Sequence, residues 1–190
     1  PPVVAEPIDE VDVTPPSASS GRTWRRMDVD QLKASMSQIS GGVEWTEIDD
    51  DGLEFDVIDS LSGSLGKPDF LDSNTEDLQP GLLFAKFLDD SAVAVCRRWM
   101  GRERDQPGQR LLLVHADLSD TPQSAPDAIA ANLSAALLRF HGRVVPVGDA
   151  RLTPWIDLFS QVWSATGEDT FRAWRTVCVA MFTHPDFYNF

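Results

Sequence analysis

Two cysteines, three histidines, three lysines and a single tyrosine are all that the 190 residues hold of these types. Each scarcity excludes some chemistry. Cys96 and Cys178 lie far apart, so the Cys-x-x-Cys-His pattern that attaches c-type haem is missing, and this chain by itself carries no such group. A noncovalent haem would have to draw on His115, His141 or His184, which are scattered along the sequence. No run approaches the roughly 18 apolar residues needed to cross a bilayer as a helix. No serine stands in a Gly-x-Ser-x-Gly elbow. Gly63-Ser64-Leu65-Gly66 lacks the preceding strand and the glycine spacing of a phosphate-binding loop or a dinucleotide fingerprint. Internal repeats and sustained heptads are absent as well.

Positive charge is also scarce. Sixteen basic residues face thirty acidic ones, for a formal net charge of −14. The imbalance is local: up to Ala94 there are 20 acidic and 6 basic residues, and from Val95 onward 10 of each. An acidic first half repels phosphate backbones and anionic lipid, which argues against nucleic acid as a partner. It suits a basic protein partner or bound cations, and it also serves simply to keep a secreted protein soluble.

A hydrophobic fraction of 42% is enough to build a core. Pro1 to Gly21 contributes little to it. This proline- and serine-rich opening, PPVVAEPIDEVDVTPPSASSG, predicts an extended or disordered arm over residues 1–22, followed by one folded domain over 23–190. The opening reads as the spacer left after a leader is removed, or as a trimmed start. The first reading places the protein in the periplasm or outside the cell, from a processed or lipid-anchored precursor. In such a compartment Cys96 and Cys178 are disulfide candidates. Both fall on apolar stripes of predicted helices. A bond between them would close a loop of roughly 80 residues, worth about 4 kcal/mol in the chain-entropy model. Two buried free thiols are the alternative.

Within the domain, apolar spacing of three and four predicts about six helices. Asp28 and Gln31 form a capping box ahead of Val29, Leu32, Met36 and Ile39, and Gly41 ends that helix. Trp24 is placed to staple its entrance. A second helix is expected over Glu54–Leu65 with Phe55, Ile58, Leu61 and Leu65 inward. The third is the longest, from Pro80 in its first turn to about Met100, with Leu83, Phe84, Phe87, Leu88, Val95, Cys96 and Trp99 inward and Gly101 as its stop. Leu111–Val114 reads as a buried extended segment. Ser124 and Pro126 open the fourth helix, and Thr153 and Pro154 the fifth. The sixth covers Asp169–Phe182, and His184-Pro185 ends it. The fold class predicted is therefore all-α, an irregular bundle of about six helices with an N-terminal arm. Its six tryptophans and ten phenylalanines are expected mainly in the core.

The sharpest local candidate for a site is Glu47-Ile48-Asp49-Asp50-Asp51-Gly52. Acidic groups at alternate positions followed by glycine approximate the first half of a calcium-binding EF-hand loop. The second half departs from that pattern, because Ile58 stands where a bidentate glutamate is required. Glu47, Asp49, Asp51 and Asp56 are thus the metal-ligand candidates, with calcium as the ion, and a solvated acidic loop is the alternative. A second polar cluster, Asp69, Asp72, Asn74, Glu76 and Asp77, reads as loop and helix cap.

Three segments resemble a known group of proteins. Arg25-Arg26-Met27 with Asp30-Gln31-Leu32 is similar to the opening of helical families that accompany cytochrome-c modules in large secreted bacterial proteins. Trp174-Arg175-Thr176-Val177-Cys178-Val179-Ala180, leading to His184-Pro185-Asp186-Phe187-Tyr188, resembles their closing helix and tail. Gly66-Lys67-Pro68-Asp69-Phe70 and Leu83-Phe84-Ala85-Lys86-Phe87-Leu88 resemble their middle. The resemblance implies an exported helical protein found near redox systems, and it implies no activity. With no complete catalytic motif in the chain, the expected role is a noncatalytic accessory subunit of a cell-envelope assembly, associated with other protein subunits and c-type cytochromes in electron transfer. The alternatives are a cation-dependent secreted enzyme using the acidic first half, or an acidic docking protein for a basic cytochrome.

Overall fold

The computed structural model describes residues 25–67, 76 and 78–189. The expected N-terminal arm, Trp24 and most of the second acidic cluster lie outside the described residues. The fold is all-α, with seven helices and one small hairpin among the described residues. In chain order these are α1 (Val29–Ser40), β1 (Thr46–Ile48), β2 (Glu54–Asp56), α2 (Val57–Leu61), α3 (Leu82–Asp105), α4 (Pro126–His141), α5 (Thr153–Ala165), α6 (Thr170–Thr183) and α7 (Pro185–Tyr188). Among the described residues no helix is long and apolar enough to cross a membrane.

Helix α1 forms as its end signals dictate. The Asp28 side chain accepts from the Gln31 amide while the Gln31 side chain accepts from the Asp28 amide. At the other end Gly41 turns left-handed at φ 67°, and the Gly42 amide closes back on Ser37. A Cβ there would also meet Leu111 Cδ1 at 2.4 Å, so that side chain would have to shift.

The expected second helix is corrected in its first half. Glu54–Asp56 pairs antiparallel with Thr46–Ile48; of the four residues expected inward, Ile58 and Leu65 are buried, together with Val57, while Phe55 and Leu61 are exposed. Two aspartates explain the change. Asp49 accepts the amides of Asp51 and Leu53 and so fixes a tight turn, and Asp56 accepts from Asp59 as the N-cap that starts α2. The helix then ends in a 3-10 turn over Ser62–Leu65, closed by left-handed Gly66.

Helix α3 is also displaced from expectation. It begins after Pro80, with Gly81 as its cap, and Leu83 is exposed. It runs through Gly101 to Asp105. A helical glycine costs only about 1 kcal/mol, and Glu103 offsets it. That carboxylate is 2% exposed and accepts from Trp99 Nε1 and Leu111 N at 2.8 Å, and from Leu112 N and Leu113 N at 3.0 Å. The extra turn exists to present this acceptor, and the acceptor fixes the extended Leu111–Val114 segment against the core. Asn132 completes the arrangement, donating to the Leu112 carbonyl and accepting from the His115 amide, both at 3.0 Å.

The core lies between α3 and α6, with α1, α4 and α5 packed around them. Trp99, Trp174, Phe159 and Phe182 are wholly buried there. Phe140 stacks edge-on to Phe182 at 4.7 Å, and Phe159 packs on Trp174 at 4.6 Å. Cys96 of α3 and Cys178 of α6 are bonded, with their Cα atoms 5.9 Å apart. Arg26 ties the entrance of the domain to its far end. Its guanidinium pairs with Glu76 at 2.8 Å, donates to the Leu65 carbonyl at 3.1 Å and lies over the Phe84 ring. Beside it, the Met27 amide donates to the Tyr188 carbonyl.

Candidate functional site

The four carboxylates singled out from sequence are not gathered around one point. Glu47 accepts from the Trp45 indole, Asp49 is turned onto its own backbone, Asp51 is exposed, and Asp56 pairs with Lys33 at 3.2 Å. Lys33 also holds Asp59 at 2.7 Å, and that bond is the main reason its ammonium is raised above the ordinary lysine value. A lysine here supplies locally the positive charge that a cation would bring. The hairpin sets these positions: Glu47 lies in β1, Asp56 ends β2, and Asp49 and Asp51 stand in the turn that the Asp49 carboxylate closes on its own backbone.

The titratable side chains that do converge sit where α4, α6 and α7 meet. His141 is the last residue of α4, His184 joins α6 to α7, and Asp186 lies in the first turn of α7. One ligand-capable atom from each of the three lies within 4.8 Å of the others, the one such group among the described residues. The two imidazoles stack with centroids 4.9 Å apart, and Trp155 of α5 covers both, at 6.0 Å from His141 and 5.7 Å from His184. All three site residues are half-buried.

Hydrogen bonds set the orientation of each ring. His141 Nε2 lies 2.9 Å from the Met181 carbonyl, so the neutral ring carries its proton on Nε2 and keeps the Nδ1 lone pair. His184 Nδ1 accepts the Asp186 amide at 3.1 Å, which caps α7. Asp186 in turn pairs with Arg143 at 2.8 Å. Burial pushes the His141 imidazole below its ordinary value. The bond to Met181 opposes this, the charges of His184 and Arg143 add to it, and Asp186 opposes it again. Beside the rings is an open depression lined by Pro154, Trp155, Leu158, Ala180, Thr183 and Pro185.

Sequence reading placed His184 correctly as a helix-end residue, but it gave no reason to join it to His141. The two are 43 positions apart, and only the packing of α4 on α6 brings them together. His115, the remaining histidine, is exposed and stands outside this group.

Elsewhere, several large apolar side chains are exposed, Leu82 most of all at 92%. On the hairpin, Ile48 is 73% and Leu53 66% exposed, beside Asp49, Asp50 and Asp51. On the opposite stretch of chain, Val114 and Leu138 edge an apolar groove with Leu111, Leu112, Ala135 and Arg139.

No family model, no curated protein and no solved structure matches this chain.

Proposed function

We propose that this chain is an exported accessory subunit of a cell-envelope assembly that also holds c-type cytochromes, and that it contributes binding surface to its neighbours. The observation carrying the export half is the Cys96–Cys178 bond at the centre of the core. Such bonds persist in oxidising compartments and are kept reduced in the cytosol of most organisms. The binding half rests on the hairpin. Large apolar groups held out in water among carboxylates favour a partner that is basic at its rim and apolar at its centre. A basic cytochrome has that charge.

Two measurements test the reading. Thiols are trapped by an alkylating reagent in intact cells, and the protein is then fractionated and weighed. Cys96 and Cys178 are expected unmodified, in the envelope fraction; a cytosolic protein alkylated at both overturns export. In the second, the purified chain is titrated with a basic soluble c-type cytochrome at rising ionic strength. Affinity should fall steeply with salt, and Ile48→Asp with Leu53→Asp should weaken it further. Undetectable binding at low salt, or binding indifferent to salt, overturns the charge-matched partner.

A further inference from the structure

We propose that His141, His184 and Asp186 form a binding site for one divalent transition-metal ion of the zinc class. The inference is independent of the docking role above, since it concerns different residues on different elements.

The donor set selects the ion. Two imidazoles and one carboxylate suit zinc, copper and nickel, whereas calcium and magnesium require a shell of oxygens. Zinc bound at about 2.0–2.2 Å places its tetrahedral ligands about 3.4 Å apart. His184 Nδ1 and Asp186 Oδ2 already stand 3.6 Å from one another. One donor atom from each residue lies within 4.8 Å of the other two, so binding requires these atoms to close by about 1.4 Å at most and the two rings, now stacked at 29°, to turn their in-plane lone pairs toward one point. This movement falls on side chains at helix ends rather than on the packed interior. His184 and Asp186 sit on the short terminal turn after α6, and their side chains are 40% and 23% exposed.

The surroundings resemble those of a metal-binding imidazole in one further respect. Ligating histidines give their second nitrogen to a carbonyl or carboxylate, which fixes the tautomer and the direction of the lone pair. The Met181 carbonyl does this for His141 Nε2 and leaves Nδ1 to bind. At His184 the metal takes the Nδ1 lone pair that now accepts the Asp186 amide. The exchange gives up one neutral hydrogen bond for a coordinate bond. Arg143 occupies part of Asp186, but a carboxylate has about four acceptor sites and serves both. Three protein ligands leave a fourth position open, next to the depression beside Trp155. The cysteines do not compete, since both are in the disulfide.

The test titrates the full chain with zinc chloride against a chromophoric chelator, with calcium chloride at equal concentration as the control for the acidic surface. One zinc per chain is expected, unaffected by calcium. In the nitrogen-15 spectra the imidazole signals of His141 and His184 and the amide of Asp186 should move together, while those of His115 stay in place. His184→Gln and Asp186→Asn should each weaken zinc by more than the roughly 10- to 100-fold that loss of an outer partner costs, and His115→Gln should not. Circular dichroism establishes that each variant is folded. Absence of stoichiometric binding overturns the site. So does wild-type affinity in both His184→Gln and Asp186→Asn, or movement of the His115 signals with the rest.

Discussion

Replacing Glu103 should do more damage than replacing any other charged residue of α3. Its carboxylate is 2% exposed and accepts four hydrogen bonds, one from the Trp99 indole and three from the successive amides of Leu111, Leu112 and Leu113. Bonds to a charged acceptor contribute about 1.5–3 kcal/mol each, and a buried donor left without a partner costs about 1–3 kcal/mol. In Glu103→Gln the amide oxygen can keep the cluster of three donors now on Oε1, but its NH2 then faces the Leu113 amide. One bond is lost and one donor is stranded, so a loss of about 3 kcal/mol is expected. Glu103→Ala strands all four donors. Water entering the space relieves part of that, and a loss of about 5 kcal/mol remains, at the exceptional end for a point substitution. Urea unfolding followed by tryptophan fluorescence measures both values. Hydrogen exchange at Leu111–Leu113 reports the mechanism, because these amides should lose protection at denaturant concentrations where α4 and α6 keep theirs. If Glu103→Ala unfolds within about 1 kcal/mol of wild type, with the three amides still protected, the carboxylate does not hold the segment and the reasoning fails.

Three further outcomes follow from the same contacts. Reducing the Cys96–Cys178 bond, or replacing both cysteines by alanine, frees a loop with a sequence separation of 82; it should lower stability by about 4 kcal/mol, read as a fall in urea midpoint under reducing conditions. Trp99→Phe should destabilise more than Trp174→Phe by about 1–2 kcal/mol, because the Trp99 indole donates to Glu103 while that of Trp174 has no partner among the described residues; equal effects in denaturant would contradict this. Asp149 is held at about 2 by its side-chain and backbone bonds with Arg151. Folded, it stays ionised on acidification after the unfolded chain has taken up its proton, so its contribution is present above its unfolded value and lost as pH falls through about 2. NMR titration of the carboxyl carbon should show this, and Arg151→Ala, which removes the side-chain bonds and keeps the backbone amide of residue 151, should raise it part of the way toward its unfolded value.

Much of the helical layout was legible in the residues. Asp28 with Gln31, Gly41, Pro126, Gly142 and His184-Pro185 carry their end signals within a few positions, and the apolar faces of α1, α4 and α6 repeat at helical spacing. Local physics is sufficient there. It was insufficient over Glu54–Leu65, where Phe55, Ile58 and Leu61 match a helical stripe. Asp49 and Asp56 instead bind nearby amides and convert the first half into a hairpin. It was insufficient again at Gly101, where a glycine stop was outweighed by a carboxylate two residues on. Ile48 and Leu53 gave no sequence signal of exposure, since a large apolar residue in or beside a short strand is ordinarily buried.

By itself, then, the amino-acid sequence determined the all-helical class, the acidic first half, most helix ends and the pair of cysteines placed on inward faces, because each of these depends on neighbours a few residues apart. Tertiary structure alone decided what Glu103 holds, how Arg26 joins the two ends of the domain, and that His141 meets His184 and Asp186. Those contacts depend on the packing of α3, α4 and α6, whose partners are separated by stretches of chain that carry no trace of one another.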